Sequence, residues 1–282
     1  MIPTIPRNRT VDWIYNAYIT VFFLYLALPL AVVVVFAFND SQFPSLPWKG
    51  FTLDWFFGDE SPKIGVFHER SILSAIGTSV FVGVCVSLLA VAVGTTNAFL
   101  FNRYEFRGKS ALYILMILPL VIPGIVLGIS ILVFSSYVAN GAWDLAKIDV
   151  GMLRPGVPLV VLGQFSFVAT IATLVVSARL KSFDRTLEEA ALNLGATQLT
   201  AVRTVTIPYL APALVGAFVV AFLMSFENFN TTLMLVGSDA PLTIAMFDRL
   251  KEGSTPLLNA VSLMLMIGSS LLALVMIAFQ KR

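Results

Sequence analysis

Charge is scarce in this sequence. Of its 282 residues, 12% are Asp, Glu, Lys or Arg and 58% are hydrophobic, and the mean hydropathy is +0.89. A soluble globular protein carries about 25% charged residues, so a water-soluble fold of this length is excluded. The net charge of +2 gives no reason to expect a nucleic acid as partner. The composition predicts an integral membrane protein.

Cysteine and histidine are each present once. Cys85 lies inside an apolar run, so the sequence has no disulfide framework and the thiol is interpreted as inert packing. His68 lies in a charged loop without a second ligand candidate nearby, and we interpret it as a solvated side chain. No metal site is therefore predicted for this chain.

A complete phosphate-binding loop is also absent. Gly108, Lys109 and Ser110 resemble the end of such a loop, but position 103, where the motif G-x-x-x-x-G-K-[ST] requires a glycine, holds an arginine. This stretch also connects two apolar segments rather than a strand and a helix. We expect this chain to bind no cofactor, so any ATP and Mg that drive its work are bound by another chain.

Six apolar segments are long enough to cross a bilayer, which requires about 20 residues. They run over residues 14–38, 74–99, 112–137, 158–178, 211–236 and 259–279. The first is too long for the apolar core of a signal peptide and is expected to be retained. Two prolines and two glycines interrupt the third between Pro119 and Gly128, which indicates either a hinge or a static kink. We predict an all-α integral membrane fold with a single transmembrane domain over residues 1–282.

The distribution of cations predicts the orientation, because cytoplasmic loops are enriched in Lys and Arg. With the N-terminus inside, the cytoplasmic segments hold 11 cations and the external segments hold 7. Both termini are therefore predicted to be cytoplasmic. The aromatic-rich loop over residues 39–70 is then external, and it fits either an amphipathic segment on the outer leaflet or packing against the helices.

The longest cytoplasmic loop runs over residues 179–208, between the fourth and fifth spans. Apolar and small residues recur at helical spacing over Leu187–Leu194, with charged residues on the other faces. Gly195 is expected to end this helix, and a second short helix is expected from Thr197. Such a helix can insert into a groove on a partner protein, or it can lie on the lipid surface as an amphipathic connector.

The spacing in this loop resembles the EAA motif of the permease subunits of ATP-binding-cassette (ABC) importers. That motif reads E-A-A-x3-G-x9-I-x-L-P, and the sequence matches it at Glu189, Ala190, Ala191, Gly195 and Pro208. Val205 and Ile207 hold the two aliphatic positions and keep their volume and apolar character. Residues 103–109, 118–132 and 225–230 resemble the PotC-type permeases of spermidine and putrescine importers, and the similarity runs over nearly the whole chain.

The resemblance implies a permease that moves a polyamine or related amine across the bacterial inner membrane, although relatives move opines, other amines and phosphonates. Its implied partners are a second permease of the PotB type, a dimer of ATP-binding subunits of the PotA type, a periplasmic binding protein and membrane lipid. ATP is then hydrolysed by the partner chains, and this chain is not expected to be an enzyme. The coupling role of the EAA loop, seated in a cleft of the ATPase, is carried onto Glu189, Ala190, Ala191 and Gly195, with Glu188 placed beside them as part of the same set.

Glu227 is the one charged residue inside a predicted span. A charge at the bilayer centre costs about 2.5–3.5 kcal/mol on insertion scales, so such residues face water or the bundle interior. In a continuous helix, Asn230 and Thr231 lie on the same face at i+3 and i+4. We predict that these three residues line the substrate path, as the resemblance to PotC-type permeases with an acid at this place also implies. The alternative is a structural carboxylate bonded to a neighbouring helix.

Other polar groups and other functions fit less well. Asn97, Gln164 and Ser166 lie within spans and are interpreted as interhelical hydrogen bonds rather than ligands. A stand-alone secondary transporter usually has broken helices in both halves, and the interrupted third span has no obvious counterpart. A membrane scaffold without a pathway is a second alternative, and an intramembrane enzyme lacks a nucleophile–base pair or a metal cluster in this sequence.

Overall fold

The computed structural model describes residues 9–253 and 255–280, and these residues form helices and loops without a β-strand. The helices in chain order are α1 (Arg9–Ala37), α2 (Asp54–Phe57), α3 (Arg70–Arg103), α4 (Lys109–Val121), α5 (Gly124–Ala146), α6 (Val157–Lys181), α7 (Thr186–Asn193), α8 (Gln198–Ala201), α9 (Ile207–Phe226), α10 (Asn230–Leu235), α11 (Leu242–Glu252) and α12 (Pro256–Gln280). A 3₁₀ turn over Gly151–Leu153 precedes α6, and a π-helical turn over Val202–Thr206 joins α8 to α9.

Six helical stretches among the described residues are long and apolar enough to cross a membrane. They are residues 9–37, 70–103, 124–146, 157–181, 198–226 and 256–278. This confirms the prediction of an all-α membrane protein with six spans. The helices α1, α3, α6 and α12 extend past the predicted apolar segments by a few residues at most ends, because polar residues continue the helical hydrogen bonding beyond the apolar run.

The third predicted span, over residues 112–137, is wrong as a single helix. Ile122 is extended, with φ −77° and ψ 130°, and Pro123 follows it. A residue before proline is disfavoured in the helical region, so the chain leaves α4 at Val121 and starts α5 at Gly124. The hydroxyl of Thr170 on α6 donates to the carbonyl of Met116 at 2.6 Å, in the turn before Pro119. Neighbouring side chains of this kind satisfy backbone groups near a proline in a membrane helix.

The fifth predicted span, over residues 211–236, is also interrupted. Helix α9 ends at Phe226, three residues follow without helical structure, and the chain becomes helical again at Asn230. The side-chain oxygen of Asn228 accepts hydrogen bonds from the backbone N–H of Thr232 at 3.2 Å and from its hydroxyl at 3.0 Å. An asparagine that bonds the backbone locally competes with helix continuation, and we refer to residues 227–229 as the helix break.

The chain divides into two compact units, one of residues up to 70 with 249–267 and one of residues 71–248 with 268 onward. The first unit contains the loop over residues 39–70, which folds on itself around the buried Asn39. The carbonyl of Asn39 accepts from Nε1 of the buried Trp55 at 2.9 Å, and its side-chain oxygen accepts from the backbone N–H of Lys49 at 3.1 Å. The loop is a folded turn structure, and α2, with four residues, is the one short helix in it.

The second unit has its core between α3, α6 and α9. Small residues let these helices approach closely: a Cβ atom at Gly94 of α3 would lie 2.8 Å from the Cβ of Ala172 on α6. On α5, a Cβ atom at Gly124 or at Gly128 would lie 3.0 Å from a side chain of α10. Small residues four apart are typical of membrane helices whose backbones pack in contact, and here they seat α10 against α5.

Candidate functional site

The loop between the fourth and fifth spans forms two short helices, α7 and α8. The side chain of Asp184 accepts from the backbone N–H of Thr186, the first residue of α7, at 3.0 Å. Gly195 follows the end of α7 with φ +89°, in the left-handed region that glycine adopts without strain. A Cβ atom at Gly195 would meet nothing within 4 Å, so the glycine is required by the turn and not by packing inside this chain.

The predicted coupling residues divide into an exposed group and an inward one. Glu189 and Ala190 are exposed and Ala191 is half-buried. Around them lie exposed leucines that a single chain leaves uncovered, namely Leu187, Leu192, Leu194 at 90% exposure and Leu199 at 78%. We call these four leucines with Glu189, Ala190 and Ala191 the leucine face of the loop. Within α7, helical spacing puts Leu187 on the same side as the two alanines, and Glu189 and Leu192 on other sides. Exposed apolar side chains grouped in one short loop are typical of a protein–protein or membrane contact.

Glu188 is the inward residue of the set. Its carboxylate forms a bidentate ion pair with Arg103 at the end of α3, with Nη2 donating to Oε1 at 2.8 Å and Nη1 donating to Oε2. The hydroxyl of Thr206, in the last position of the π-helical turn, also donates to Oε1. The side chains of Arg103 and Glu188 are only 15% and 13% exposed. We call Arg103, Glu188 and Thr206 the latch.

Aromatic rings cover the arginine of the latch. The guanidinium carbon of Arg103 lies 4.9 Å from the ring centre of Phe99 and 5.8 Å from that of Phe183. A second contact joins the same segments, since Nη2 of Arg185 donates to the carbonyl of Asn102 at 2.9 Å. The loop is thus fixed to the end of α3 at two adjacent residues.

The latch carries charge at neutral pH. Hydrogen bonds from Arg103 are the main cause that holds the pKa of Glu188 below its ordinary value; burial opposes them, and the bond from Thr206 adds to them. The carboxylate is therefore ionised opposite the guanidinium. Ion pairs of this bidentate form are among the strongest and the most geometrically specific that proteins make.

The structure does not bring the three predicted pathway residues onto one face. Glu227 and Asn230 are exposed, whereas Thr231 is buried and its hydroxyl donates to the carbonyl of Gly124 on α5 at 3.3 Å. The shared stripe is wrong because it assumes a continuous helix, and α9 ends one residue before Glu227. Thr231 contacts the neighbouring helix, while Glu227, the first residue of the break, and Asn230, the residue directly after it, stay accessible.

A buried polar network, which the sequence reasoning found only in part, holds the helix break. Gln164 on α6 is buried; its Nε2 donates to Thr232 at 2.8 Å and its Oε1 accepts from Ser225. The interpretation of Gln164 as an interhelical hydrogen bond is confirmed, and its two partners lie on opposite sides of the break. Asn228 extends the network, because its carbonyl accepts from the hydroxyl of Thr243 at 3.2 Å. An asparagine within an apolar run is the signal that could have found the break.

The other polar residues within spans have different roles. The hydroxyl of Ser166 donates to the carbonyl of Gly163 in its own helix at 2.7 Å, so its interpretation as an interhelical bond is wrong. Asn97 and Ser166 both line a cavity of about 350 Å³ between α3, α4 and α6. Among the described residues, no group of three or more His, Cys, Asp or Glu side chains is placed to hold a metal ion.

Comparison with known proteins gives one family match and several relatives. The family described as "Binding-protein-dependent transport system inner membrane component" matches residues 90–282. The chain is 28% identical over 247 residues to the putrescine transport system permease protein PotI of Escherichia coli K12, covering 86% of this chain and 82% of that protein. It is 29% identical over 266 residues to the spermidine/putrescine transport system permease protein PotC of Haemophilus influenzae, covering 93% and 94%.

Solved structures share the fold. A bacterial ABC transporter involved in the import of the acidic polysaccharide alginate matches with a TM-score of 0.72 at 19% identity, over 97% of this chain and 96% of that chain. A second structure of the alginate transporter, in complex with an alginate pentasaccharide-bound periplasmic protein, matches with a TM-score of 0.71 at 18% identity over 96% and 93%. At this identity the match shows a common arrangement of helices.

Proposed function

The chain belongs to the binding-protein-dependent transport system inner membrane component family, and from this premise we propose how it couples ATP hydrolysis to solute import. It is a multi-pass permease subunit of an ABC importer in the bacterial inner membrane, and as a transport subunit it is not itself an enzyme. The proposed solute is a polyamine or a related amine, which the names of the PotI and PotC relatives support.

The proposed assembly contains this permease, a second permease of the PotB type, two ATP-binding subunits of the PotA type and a periplasmic binding protein. The ATP-binding subunits hydrolyse ATP in the cytoplasm. The cation distribution supports cytoplasmic termini and a cytoplasmic loop over residues 179–208. The loop over residues 39–70 is then available to the binding protein on the other side.

The observation that carries the coupling proposal is the leucine face. Four exposed leucines and two small alanines project from a loop that is otherwise fixed to the bundle. We assign this surface to a cleft of the ATP-binding subunit, where burial of leucine side chains supplies about 1.5–3 kcal/mol each. Glu189 lies beside the leucines, and Gly195 allows the chain to turn away after α7 because it adopts φ +89° without strain.

The latch gives that surface its mechanical connection. Arg103 ends α3, Glu188 lies in α7 and Thr206 leads into α9, so one carboxylate joins three elements. A displacement of α7 by the ATP-binding subunit therefore pulls on two membrane helices at once. A ligand shifts a conformational equilibrium only through contacts that differ between the two states, and the leucine face supplies those contacts while the latch transmits them.

Glu227 and Asn230 are proposed to line the solute path at the helix break. Non-helical backbone at membrane depth is tolerated only where it is buried in protein or lines a water-filled cavity. Glu227 and Asn230 are exposed, and we assign the second condition to the part of the break where they lie. A carboxylate in that position offsets the cost of removing an ammonium group from water. Thr231 has the supporting part of holding α10 to α5.

Reconstitution tests the function as a whole. The permease, co-expressed with its second permease and ATP-binding subunits, is placed in proteoliposomes with the binding protein, and uptake of radiolabelled putrescine is followed. We expect uptake that requires ATP and ceases when the ATP-binding subunits cannot hydrolyse it. Uptake driven by an ion gradient without ATP would favour a secondary transporter. ATP-dependent uptake of another solute would keep the coupling mechanism and remove the polyamine assignment.

A further inference from the structure

A groove lies between α3, α4 and α6 near the end of α3, and two adjoining cavities form it. The larger, of about 510 Å³, is lined in part by Lys109, Ser110, Ser177 and Lys181. A cavity of about 180 Å³ shares Lys181 and Asn102 with it and adds Arg185. We refer to these two together as the amphipathic groove.

One end of the groove is strongly basic. Lys109, Lys181 and Arg185 line it, and Glu105 is the single carboxylate there, paired to Lys109 at 2.6 Å. Arg103 also reaches this end, but Glu188 neutralises it. The lining therefore carries an excess of two positive charges. Hydroxyl groups of Ser110 and Ser177 stand beside these cations and can donate hydrogen bonds to an anion.

The other part of the groove is apolar. In the larger cavity the cations and hydroxyls stand beside apolar and aromatic side chains of α4 and α6, namely Tyr113, Ile114, Leu174 and Ala178. Tyr113 and Ile114 are 38% and 64% exposed, so this wall is open to an apolar chain. A basic mouth and an apolar wall therefore occur in one cavity.

We propose that the amphipathic groove binds one anionic glycerophospholipid. The phosphate and headgroup contact Lys109, Lys181 and the two serine hydroxyls, and one acyl chain lies along Ile114 and Leu174. Basic pockets between membrane helices at the cytoplasmic side attract anionic headgroups, and each cation near the surface adds to that attraction. A soluble anion would use only the basic mouth, whereas a zwitterionic lipid would gain nothing from the excess of two positive charges.

The choice of leaflet rests on the proposed function, because the basic mouth lies where α3 and α6 end and the coupling loop begins. With that loop in the cytoplasm, the lipid belongs to the inner leaflet. The site also adjoins the latch, since Arg185 and Asn102 line the mouth and contact each other at 2.9 Å. Bound lipid would therefore hold the base of the coupling loop at the membrane surface.

The test measures lipid retained by the purified, assembled importer. The complex is exposed to mixed micelles of equal phosphatidylglycerol and phosphatidylcholine, and native mass spectrometry counts the lipids that remain bound. We expect preferential retention of phosphatidylglycerol. In the variant Lys109→Gln/Lys181→Gln its affinity is expected to fall about fivefold for each lysine removed. Arg107→Gln removes a cation from an exposed site in the same loop that does not line the groove, and is expected to retain the wild-type affinity.

A second arm examines the apolar end. Ile114→Trp fills the apolar part of the groove and is expected to lower phosphatidylglycerol retention. Leu118→Trp, one turn further along the same helix and not lining the groove, is expected to leave it unchanged. Equal retention of both lipids by the wild type overturns the proposal. An equal loss of phosphatidylglycerol affinity in Arg107→Gln and in the double lysine variant also overturns it. Inorganic phosphate that competes as tightly as the lipid itself would do the same. So would crosslinking of the groove, in the assembled importer, to a segment of a partner protein.

Failure of the proposed function is distinguishable from failure of this site. Lipid retention is measured without ATP or solute, so it does not depend on transport. The leaflet is checked separately by labelling Arg107→Cys, in a Cys85→Ser background, with a membrane-impermeant maleimide from one side of sealed vesicles. Labelling from the cytoplasmic side supports the inner leaflet, and labelling from the opposite side moves the site to the outer leaflet and overturns that assignment.

Discussion

Glu188 precedes the fifth span and Glu227 lies at the helix break near its other end, and these two glutamates differ in burial and in hydrogen bonding. Glu188, before the span, is 13% exposed and is held by Arg103 and Thr206. Glu227, at the helix break, is exposed, and among the described residues its side chain forms no hydrogen bond or ion pair. The sequence groups Glu188 with a partner contact and Glu227 with a substrate contact. The comparison teaches that Glu188 is bonded within the chain, whereas Glu227 is left accessible.

Breaking the latch is expected to have the largest effect. Arg103→Ala leaves the half-buried Glu188 carboxylate without its main partner. Removing one member of a fully buried ion pair costs about 3–5 kcal/mol, and the partial exposure here favours the lower figure. We expect the complex to unfold at a lower temperature and to lose ATP-dependent uptake. Arg107→Ala removes the same charge from an exposed position four residues away and is the matched control.

A charge reversal sharpens that result. Arg103→Glu and Glu188→Arg are each expected to abolish uptake, and the double variant is expected to recover part of it because the pair is restored in the opposite sense. Uptake and ATP hydrolysis are measured on the same proteoliposomes. Wild-type uptake in either single variant would show that the ion pair is not needed for coupling. Glu188 would then be interpreted again as a residue that contacts the ATP-binding subunit.

Gly195 tests the exposed side of the same loop. Asp and Asn both adopt a positive φ more readily than other side chains, so the pair Gly195→Asp and Gly195→Asn differs mainly in charge. In the ATPase cleft an unpaired carboxylate is costly to bury, and a loss of about 1.4 kcal/mol corresponds to a tenfold drop. We expect uptake to fall at least about tenfold with Asp and little with Asn. Solute binding by the periplasmic protein should be unchanged in both, and equal activity of the two would remove Gly195 from the interface.

Glu227→Gln tests the other glutamate. A hydrogen bond to a charged group contributes about 1.5–3 kcal/mol, so the affinity of the path for a cationic amine should fall about tenfold or more. Uptake is measured against solute concentration, with complex assembly verified by co-purification. Asp144→Asn, an exposed acid near the end of α5, is the control and is expected to behave as wild type. Unaltered rate and affinity in Glu227→Gln would make this residue structural.

Acid is expected to have the smallest effect and to act on Glu188. Because its pKa in the folded chain lies below the ordinary value of 4.5, its stabilising contribution is fully present above that value and is lost as the pH falls through the lowered pKa. The difference in melting temperature between the wild type and Glu188→Gln should thus be constant from pH 7 to about 5 and shrink below pH 4.5. A difference that grows on acidification would contradict the ionised latch.

The six spans can be predicted from the sequence because each needs about 20 consecutive apolar residues, and a run of that length is visible without knowledge of the fold. The end of α7 can be predicted as well, since a glycine after a helical pattern is a local signal. The latch cannot be predicted from the sequence, because Arg103 and Glu188 are 85 residues apart. Each charged side chain would look the same in the sequence if it lay in a solvated loop. Pairing of that kind depends on how three intervening helices pack.

The helix break is the second feature beyond the reach of composition. Residues 211–236 are apolar almost throughout, and hydropathy alone does not separate one span from a span followed by a short helix. What interrupts the helix is polar bonding in three dimensions, since Gln164 on α6 bonds to Ser225 before the break and to Thr232 after it. The predicted stripe from Glu227 to Thr231 failed for this reason, although two of its three residues are accessible.

The latch also orders events during synthesis. Arg103 leaves the ribosome long before Glu188, and the segments that form α4, α5 and α6 lie between them in the chain. The ion pair cannot close until the fourth span has entered the bilayer and returned the chain to the side where α3 ended. Thr206 adds its bond last, at the entrance to α9. A permease with a misplaced third or fourth span would lack a firmly held coupling loop, so an ATP-binding subunit that recognises the seated loop would recruit only correctly inserted chains.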